Sequence, residues 1–562
     1  MSAAPGTARV AGIAPVEERP GIASAASGES HGHSYATARA TTTLSALALA
    51  SPVAGLAFEA TLAWRFGTSP SVDAFRVAAL LLTFGQQLFI FQILPHSVVP
   101  VVTEYRAAGR DTEGWHVALS LAHLLSLPSL LISLAAFLWP ERIVDFLAPG
   151  LAGEGRAETA LFVRWFLLAY PPMVWSGVAA GILYSYRIFW LPPAVQLANN
   201  LILVISILTL GRRIGAVSLV FGVLLSTAFG AALYASRMIP LMRLSGARFP
   251  WRPDAAHPGV RKALRLTLPL VGMVLLMQWG SVVMNRALSM LPSGSIAEFG
   301  YVWKMGSLTL LVPLSLSTVM FPRFAEARFG ASREDFRAIC TRALRMALFL
   351  SIPLACWFAV LRVPVVSLLF ERGAFSAEAA ATAARLFGLL VLASPTFAAC
   401  ASMEKMLYAL GKTHVPMLAQ FATAGLLTLF CGFAAQRAGI EGLIGLAGLL
   451  VSAMSAGILF AVLYCRYQAF RWSDIVPSTI RLAALAAASA GIARQTSLVL
   501  GRLDVPESFS AALQTLGGLA AGASIFSLAS LVWRVPEAWA CAHYLQWAAG
   551  ATARRFLQLV RA

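Results

Sequence analysis

About fourteen stretches of this 562-residue chain are apolar over roughly 20 consecutive residues each, the length a helix needs to cross a bilayer. They begin near residues 42, 76, 115, 158, 190, 216, 266, 297, 340, 380, 415, 440, 476 and 507. No other feature restricts the fold so strongly. The residues are 58% hydrophobic and only 12% charged, against about 25% charged in soluble domains. That much apolar surface cannot be hidden in one globular core. The chain therefore reads as an all-α polytopic membrane protein of about fourteen transmembrane helices.

The formal net charge of +18 belongs to the same picture. Lys and Arg gather in the cytoplasmic loops of membrane proteins, and no aromatic-interleaved basic patch suits nucleic acid. Of the 43 Lys and Arg, about 28 fall in the even-numbered loops and the two tails, and about 13 in the odd-numbered loops. The densest clusters run from Arg237 to Arg265 and from Arg323 to Arg345. Both termini are therefore expected in the cytoplasm. Residues 1–40 have no apolar run and read as a disordered cytoplasmic tail. The segment from Thr42 is too long and too deep in the chain for a cleaved signal, so it is expected to stay as a helix. The six cysteines include no CxxC and are expected to be small buried residues. His31 and His33 lack companion ligands, so no metal or cofactor is expected.

An internal repeat divides the chain. Pro100, Glu104 and Arg106 recur as Pro322, Glu326 and Arg328. Pro171, Leu183, Tyr184, Pro192 and Gln196 recur as Pro395, Leu407, Tyr408, Pro416 and Gln420, each 224 residues later. Spans 1–6 and 7–12 thus read as two six-helix bundles of the same orientation. The expected parts are the tail, a bundle over 41–245, a basic linker over 246–265, a second bundle over 266–470, two added helices over 471–535 and a cytoplasmic tail over 536–562. Two such bundles meet along a cleft, the usual frame for alternating access.

Polar groups inside the spans mark candidate function, because an ionisable group there costs roughly 2.5–3.5 kcal/mol to insert. Arg76, Arg164 and Arg286 are expected at the interface, where long stems snorkel. Glu404 and Lys405 are expected as a solvated pair. Glu59 and Lys304 lie deeper, and either pair across the cleft or leave Lys304 to hold an anionic headgroup. Gln86, Gln87 and Gln92 cannot all share one face of span 2, so some pack and some face a cavity; Asn199, Asn200 and Gln278 pose the same choice. Pro95 and Pro100 are expected to kink or break the end of span 2, with Glu104 and Arg106 in the loop beyond.

Several stretches carry a resemblance. GTSPSVDAFRVA (67–78) with the later VVPVVTEYR, FLAPGL (146–151), LPSGSIAEFGYVWK followed by PLSLSTVMFPRFAE, LLFERGAFSAEAA (368–380) and LYALGKTHVPM (407–417) resemble, in order, segments of the MurJ/MviN family of lipid II flippases. That family lies in a superfamily with polysaccharide-unit flippases and drug antiporters. The resemblance implies export of an undecaprenyl-pyrophosphate-linked saccharide, lipid II or a related cell-surface precursor, across the bacterial inner membrane. It implies a cationic cavity and contact with membrane lipids, with coupling to the membrane potential or to ions left open. The chain departs from the family pattern in that cavity. Family arginines align with Pro52, Phe58, Gln86 and Gln87; the helix 8 arginine becomes Lys304, and its acidic neighbour Trp303. The acidic member of an Arg-Asp pair falls at Glu59, and Asp73 is kept. The candidate cavity set is therefore Lys304, Gln86, Gln87, Glu59, Asp73, Arg76, Asn199, Asn200 and Arg286. The alternatives are a cation-coupled exporter of small amphipathic molecules, for which Glu59 is the titrating candidate, and a degenerate member without transport. A membrane enzyme would need an acidic cluster or a nucleophile with its base, and no such constellation stands out.

Overall fold

The computed structural model describes residues 46–47, 50–250, 252–330 and 332–543. The N-terminal tail, most of the stretch before residue 50 and the C-terminal tail beyond residue 543 lie outside the described residues; residues 536–543, expected as part of that tail, are helical. What is described is helical. Twelve helices are long and apolar enough to cross a membrane, and a bent pair makes a thirteenth. The first expected span is described over residues 50–66, here α1. With it the order of spans follows the apolar runs of the sequence.

In the first bundle α1 is followed by α2 (Pro70–Gly85), a π-helical segment (Gln86–Gln92), α3 (Leu94–Ala107), α4 (Asp111–Leu138), α5 (Pro140–Leu147), α6 (Gly153–Phe166), α7 (Tyr170–Ser185), α8 (Leu191–Ile214) and α9 (Val217–Leu244). The second bundle contains α10 (Pro258–Ser289), α11 (Ser295–Thr309), α12 (Leu311–Gly330), α13 (Arg333–Val360), α14 (Arg362–Phe370), α15 (Ala377–Leu392) and α16 (Ser394–Ala409). It closes with α17 (His414–Gly432) and α18 (Gly439–Tyr467), separated by a kink at Gly439, whose φ is 62°. Then come α19 (Trp472–Leu500) and α20 (Glu507–Val532).

The repeat is visible as matched breaks. One span changes direction between α6 and α7 through a 3₁₀ turn at Leu167–Ala169, just before Pro171. Its counterpart breaks at Ala393, just before Pro395, and α16 begins 224 residues after α7. A proline ring cannot accept the helical geometry of the preceding turn, so each break falls where the chain has a proline to start the next helix. The eighth span is likewise two helices, α11 and α12, bent by 47°. The added pair α19 and α20 packs on the second bundle through α13 and α14. There Trp357 Nε1 donates to Ser489 Oγ at 2.9 Å.

Span 2 differs from expectation. The break is not at Pro100, which lies inside α3. It is the π segment, which ends at Ile93, so that Pro95 falls in the first turn of α3. Glu104 and Arg106 stand on α3 and not in a loop. The π turn is held from α7. Tyr170 Oη donates to Leu81 O at 2.8 Å, and Gly85 lies against the Tyr170 ring. Gly177 meets the Phe89 carbonyl and Gly181 meets Val98, so α7 approaches with no side chain between. The side chains of Pro322 and Arg328, two of the three residues in the second copy of the Pro–Glu–Arg repeat, lie outside the described residues. Cys340, Cys400 and Cys431 are buried as expected, but Cys465 is exposed.

A Cβ at Gly177 would fall on the Phe89 carbonyl, a backbone atom that cannot swing away. Gly177→Val is therefore expected to destabilise by at least about 3 kcal/mol, the upper end for overpacking. Gly272→Val, where nothing lies within 4 Å, serves as the control. Thermal unfolding of the two variants in detergent checks the difference.

Candidate functional site

The two bundles are joined at the end that carries the α1–α2 turn. Asp73, in the first turn of α2, is 2% exposed. Its carboxylate accepts from Gly294 N at 2.6 Å and Ala297 N at 2.7 Å. These are orphan amides at the start of α11, in the other bundle, where the helix dipole also favours an anion. Gly294 has φ 95°, and a Cβ there would stand 2.9 Å from the Thr68 carbonyl, so glycine meets both demands. Three further bonds cross the same seam. Tyr301 Oη donates to Gly67 O at 2.8 Å, Ala374 N to Trp64 O at 2.9 Å, and Gly150 N to Ser289 Oγ at 3.1 Å.

Behind the seam lies a buried ion pair. Arg76 on α2 binds both carboxylate oxygens of Glu59 on α1, with Nη1 3.2 Å from Oε1 and Nη2 on Oε2. The side chains are 14% and 8% exposed. The guanidinium packs on Gly300 and lies 4.7 Å from the centre of the Tyr301 ring. Arg76 does not snorkel as expected but is buried in this pair, and of the two alternatives for Glu59 and Lys304 the pairing across the cleft is excluded. The α1–α2 hairpin brings Arg76 to Glu59 first, and a buried carboxylate takes the nearest guanidinium that fits it bidentately.

Lys304 reaches the other way. Its Nζ lies against Gly55 of α1, within 2.8 Å of where a Cβ would be, and the Asn200 amide of α8 borders the same spot. Asn200 Nδ2 donates to Ser51 O at 3.3 Å. Among the described residues Lys304 has no carboxylate partner and no side-chain hydrogen bond. Its α11 backbone belongs to one bundle and its ammonium sits at the wall of the other.

That wall encloses a cavity of about 170 Å³, lined by α2, α7, α8 and α9. Its polar lining is entirely neutral: Thr83, Gln86, Ser176, Gln196, Asn199, Asn200, Ser226, Thr227 and Tyr234. Of the candidate set, the structure thus groups Gln86, Asn199, Asn200 and Lys304, and separately Glu59, Asp73 and Arg76. Gln87 does not line this cavity, and its buried Oε1 has no partner. Arg286 stands apart at the seam end, donating to the Phe146 carbonyl. Arg164 keeps the expected peripheral place, 3.9 Å from Glu141. Glu404 and Lys405 are not a solvated pair: Gln420 Nε2 donates to Glu404 at 3.5 Å, and Lys405 lies 5.9 Å from the centre of the Phe321 ring. Sequence reasoning missed Gly55, Gly300 and Tyr301. Two are glycines whose only signal is the room they leave, and Tyr301 stands one helical turn before Lys304.

Two repeated helix bundles, broken spans in each and a polar site at the bundle boundary give a two-bundle membrane fold of the kind transporters have. The family model described as lipid II flippase MurJ matches residues 62–510. The chain belongs to that family. A curated relative, the probable lipid II flippase MurJ of Rhizobium meliloti (strain 1021), is 26% identical over 487 residues, covering 84% of this chain and 88% of the relative. The fold is similar to a solved lipid II flippase MurJ in an inward closed conformation, with TM-score 0.73, 18% identity and coverage of 87% of this chain and 98% of that one. It is also similar to an inward-facing multidrug resistance MATE family transporter of the MOP superfamily, with TM-score 0.61 and 16% identity over 77% of this chain and 95% of that one.

Glu59→Gln would leave a buried guanidinium without its counter-charge. It is expected to destabilise by about 3–5 kcal/mol, whereas Glu59→Gln with Arg76→Gln costs clearly less than the single change. A double-mutant cycle on thermal unfolding checks this.

Proposed function

We propose that this chain moves an undecaprenyl-pyrophosphate-linked saccharide, lipid II or a related cell-surface precursor, across the bacterial inner membrane by alternating access. The observation that carries the reading is Lys304: an unpaired ammonium on one bundle, seated against a glycine of the other, beside a cavity of amides and hydroxyls. An ammonium attracts a phosphate anion as a point charge, and amides and hydroxyls donate to and accept from sugar hydroxyls. The division of labour is then a phosphate at Lys304 and hydroxyl-rich groups towards Gln86, Asn199 and Asn200. Gln87, whose oxygen lacks a partner, would turn to the substrate when the bundles move.

The seam supports the alternating part. Its polar bonds lie at one end of the molecule, where water can replace them when they part, beside an apolar cluster to which both bundles contribute, Phe58 and Phe75 with Val302 and Phe375 among it. At the opposite end α3 packs on α4, α7 and α10, while α12 packs on α13 and α16 of its own bundle. With both termini in the cytoplasm, the seam closes the outer side and the cleft faces inward. The two bundles would move as units over 41–245 and 266–470, with 246–265 as the linker between them. The exporter alternative needs Glu59 as a free carboxylate, and Arg76 already binds both of its oxygens.

Lys304→Ala is expected to lower flipping roughly ten- to a hundredfold, the loss of a charged hydrogen bond. Lys304→Arg should retain more activity than Lys304→Ala. Flipping in reconstituted vesicles, or rescue of cells depleted of their own flippase, measures both. Full activity of Lys304→Ala would sink the headgroup role. A second test locks the seam. A Cβ on Gly294 falls 3.3 Å from the Thr68 Cβ, close to the disulfide range of about 3.5–4.5 Å. Thr68→Cys with Gly294→Cys is expected to stop transport when oxidised and to restore it on reduction, relative to each single variant.

A further inference from the structure

At the end where α13 and α19 begin, a second cavity of about 600 Å³ lies between those helices and the helical segment at residues 536–543. Its charged lining is Arg337, Arg342, Arg345 and Arg471 with Glu334, Asp474 and Glu537. The acids are largely engaged. Glu537, 6% exposed, holds Arg345 at 2.6 Å, and Glu334 meets Arg471 at 3.4 Å. Asp474 accepts from Ser473 Oγ at 3.2 Å. Arg337 and Arg342 have no carboxylate partner among the described residues; Arg337 Nε donates to the neutral Gln468 carbonyl at 2.8 Å. Thr341 lines the same cavity, 7% exposed, and its buried hydroxyl lacks any partner. Residues 337, 341 and 345 share one face of α13, four apart.

The depth of the cavity is fixed by its neighbours. Trp472, Trp533 and Trp539 are 52%, 63% and 47% exposed, and exposed tryptophans sit at the headgroup level of a bilayer. A second cavity of about 410 Å³ shares Arg337 and Arg471 and is lined by Tyr464, Phe470 and Trp472. A guanidinium chamber therefore adjoins an aromatic one, at the level where a phospholipid carries its phosphate above its glycerol and acyl chains. We infer that this double cavity binds the phosphodiester of an anionic phospholipid, held by Arg337, Arg342 and the Thr341 hydroxyl. The site belongs to α13, α19 and the segment after α20, and is distinct from the region around Lys304. Its occupant would tie the two added helices to the second bundle from the lipid side.

The test uses the full chain in nanodiscs of phosphatidylcholine with graded phosphatidylglycerol, read by native mass spectrometry and thermal unfolding. The wild type is expected to retain phosphatidylglycerol and to unfold at higher temperature as its fraction rises. Arg337→Gln with Arg342→Gln should weaken retention roughly thirtyfold, about what two basic residues contribute at an anionic surface. Arg212→Gln with Arg213→Gln, two exposed arginines at the far end of α8, removes the same charge elsewhere and should change nothing. Arg342→Gln alone, on an exposed side chain, gives the same comparison should the double variant fail to fold. Equal retention in all variants overturns the proposal. So does displacement of the lipid by millimolar inorganic phosphate, which would make this a soluble-anion site.

Discussion

A carboxylate of one bundle completes a helix of the other. The start of α11 has amides with no partner in their own helix, and Asp73 of α2 supplies it from across the boundary. Unsatisfied amides are costly where water is scarce, so the two bundles cannot separate at that end unless water replaces Asp73. Everything else at the seam follows from this docking. It brings Gly300 over Arg76 and Tyr301 to the Gly67 carbonyl, and α11 then carries Lys304 one turn further, to Gly55. The seam combines these hydrogen bonds with an apolar cluster drawn from both bundles, Phe58 and Leu62 with Val302 and Phe375 among it, so only its polar part has an aqueous substitute.

The central region is electrostatically sparse. One ammonium lies at Gly55 near Asn200, a residue that lines a cavity whose polar lining is neutral, while another deep cation, Arg76, is neutralised by Glu59. A point charge with three rotatable donors accepts a phosphate in many orientations, where an arginine fork demands a planar match. Amides and hydroxyls then carry orientation and selectivity. On the proposed reading, such a site would recognise its substrate more by hydrogen bonding and less by field strength.

The spans were legible because hydrophobic burial is local: each apolar run declares its own length. The repeat marked Pro171 and Pro395, where the matched breaks fall, but proline alone does not mark a break, since Pro100, Pro128 and Pro240 lie inside helices. In span 2 the interruption expected at Pro95 is there, at Ile93, and none falls at Pro100. The π segment just upstream was not legible, because Tyr170, Gly177 and Gly181 of α7, far off in the chain, pack it. The Glu59–Arg76 pair was in principle readable. The two residues are equidistant from the Gly67–Thr68 turn, so an antiparallel hairpin puts them at one depth. The alternative that paired Glu59 with Lys304 left that shorter loop out of account. Glu404 went the same way: its partner is Gln420, on the helix that follows the next turn.

The sequence by itself determined a multi-pass helical membrane protein, its order of spans, its internal duplication, and the list of polar residues that have to be accommodated among them. Those follow from composition, periodicity and proline, which act within a helix's own length. Only the tertiary structure decided which polar residues meet. Ion pairing and hydrogen bonding fall off over a few ångströms, and the distances were set by which helices approach closely enough at Gly55, Gly300 and Gly177 to bring side chain to backbone. A glycine carries no mark of what will fill the room it leaves, so the place of Lys304 could be known only once α11 lay against α1.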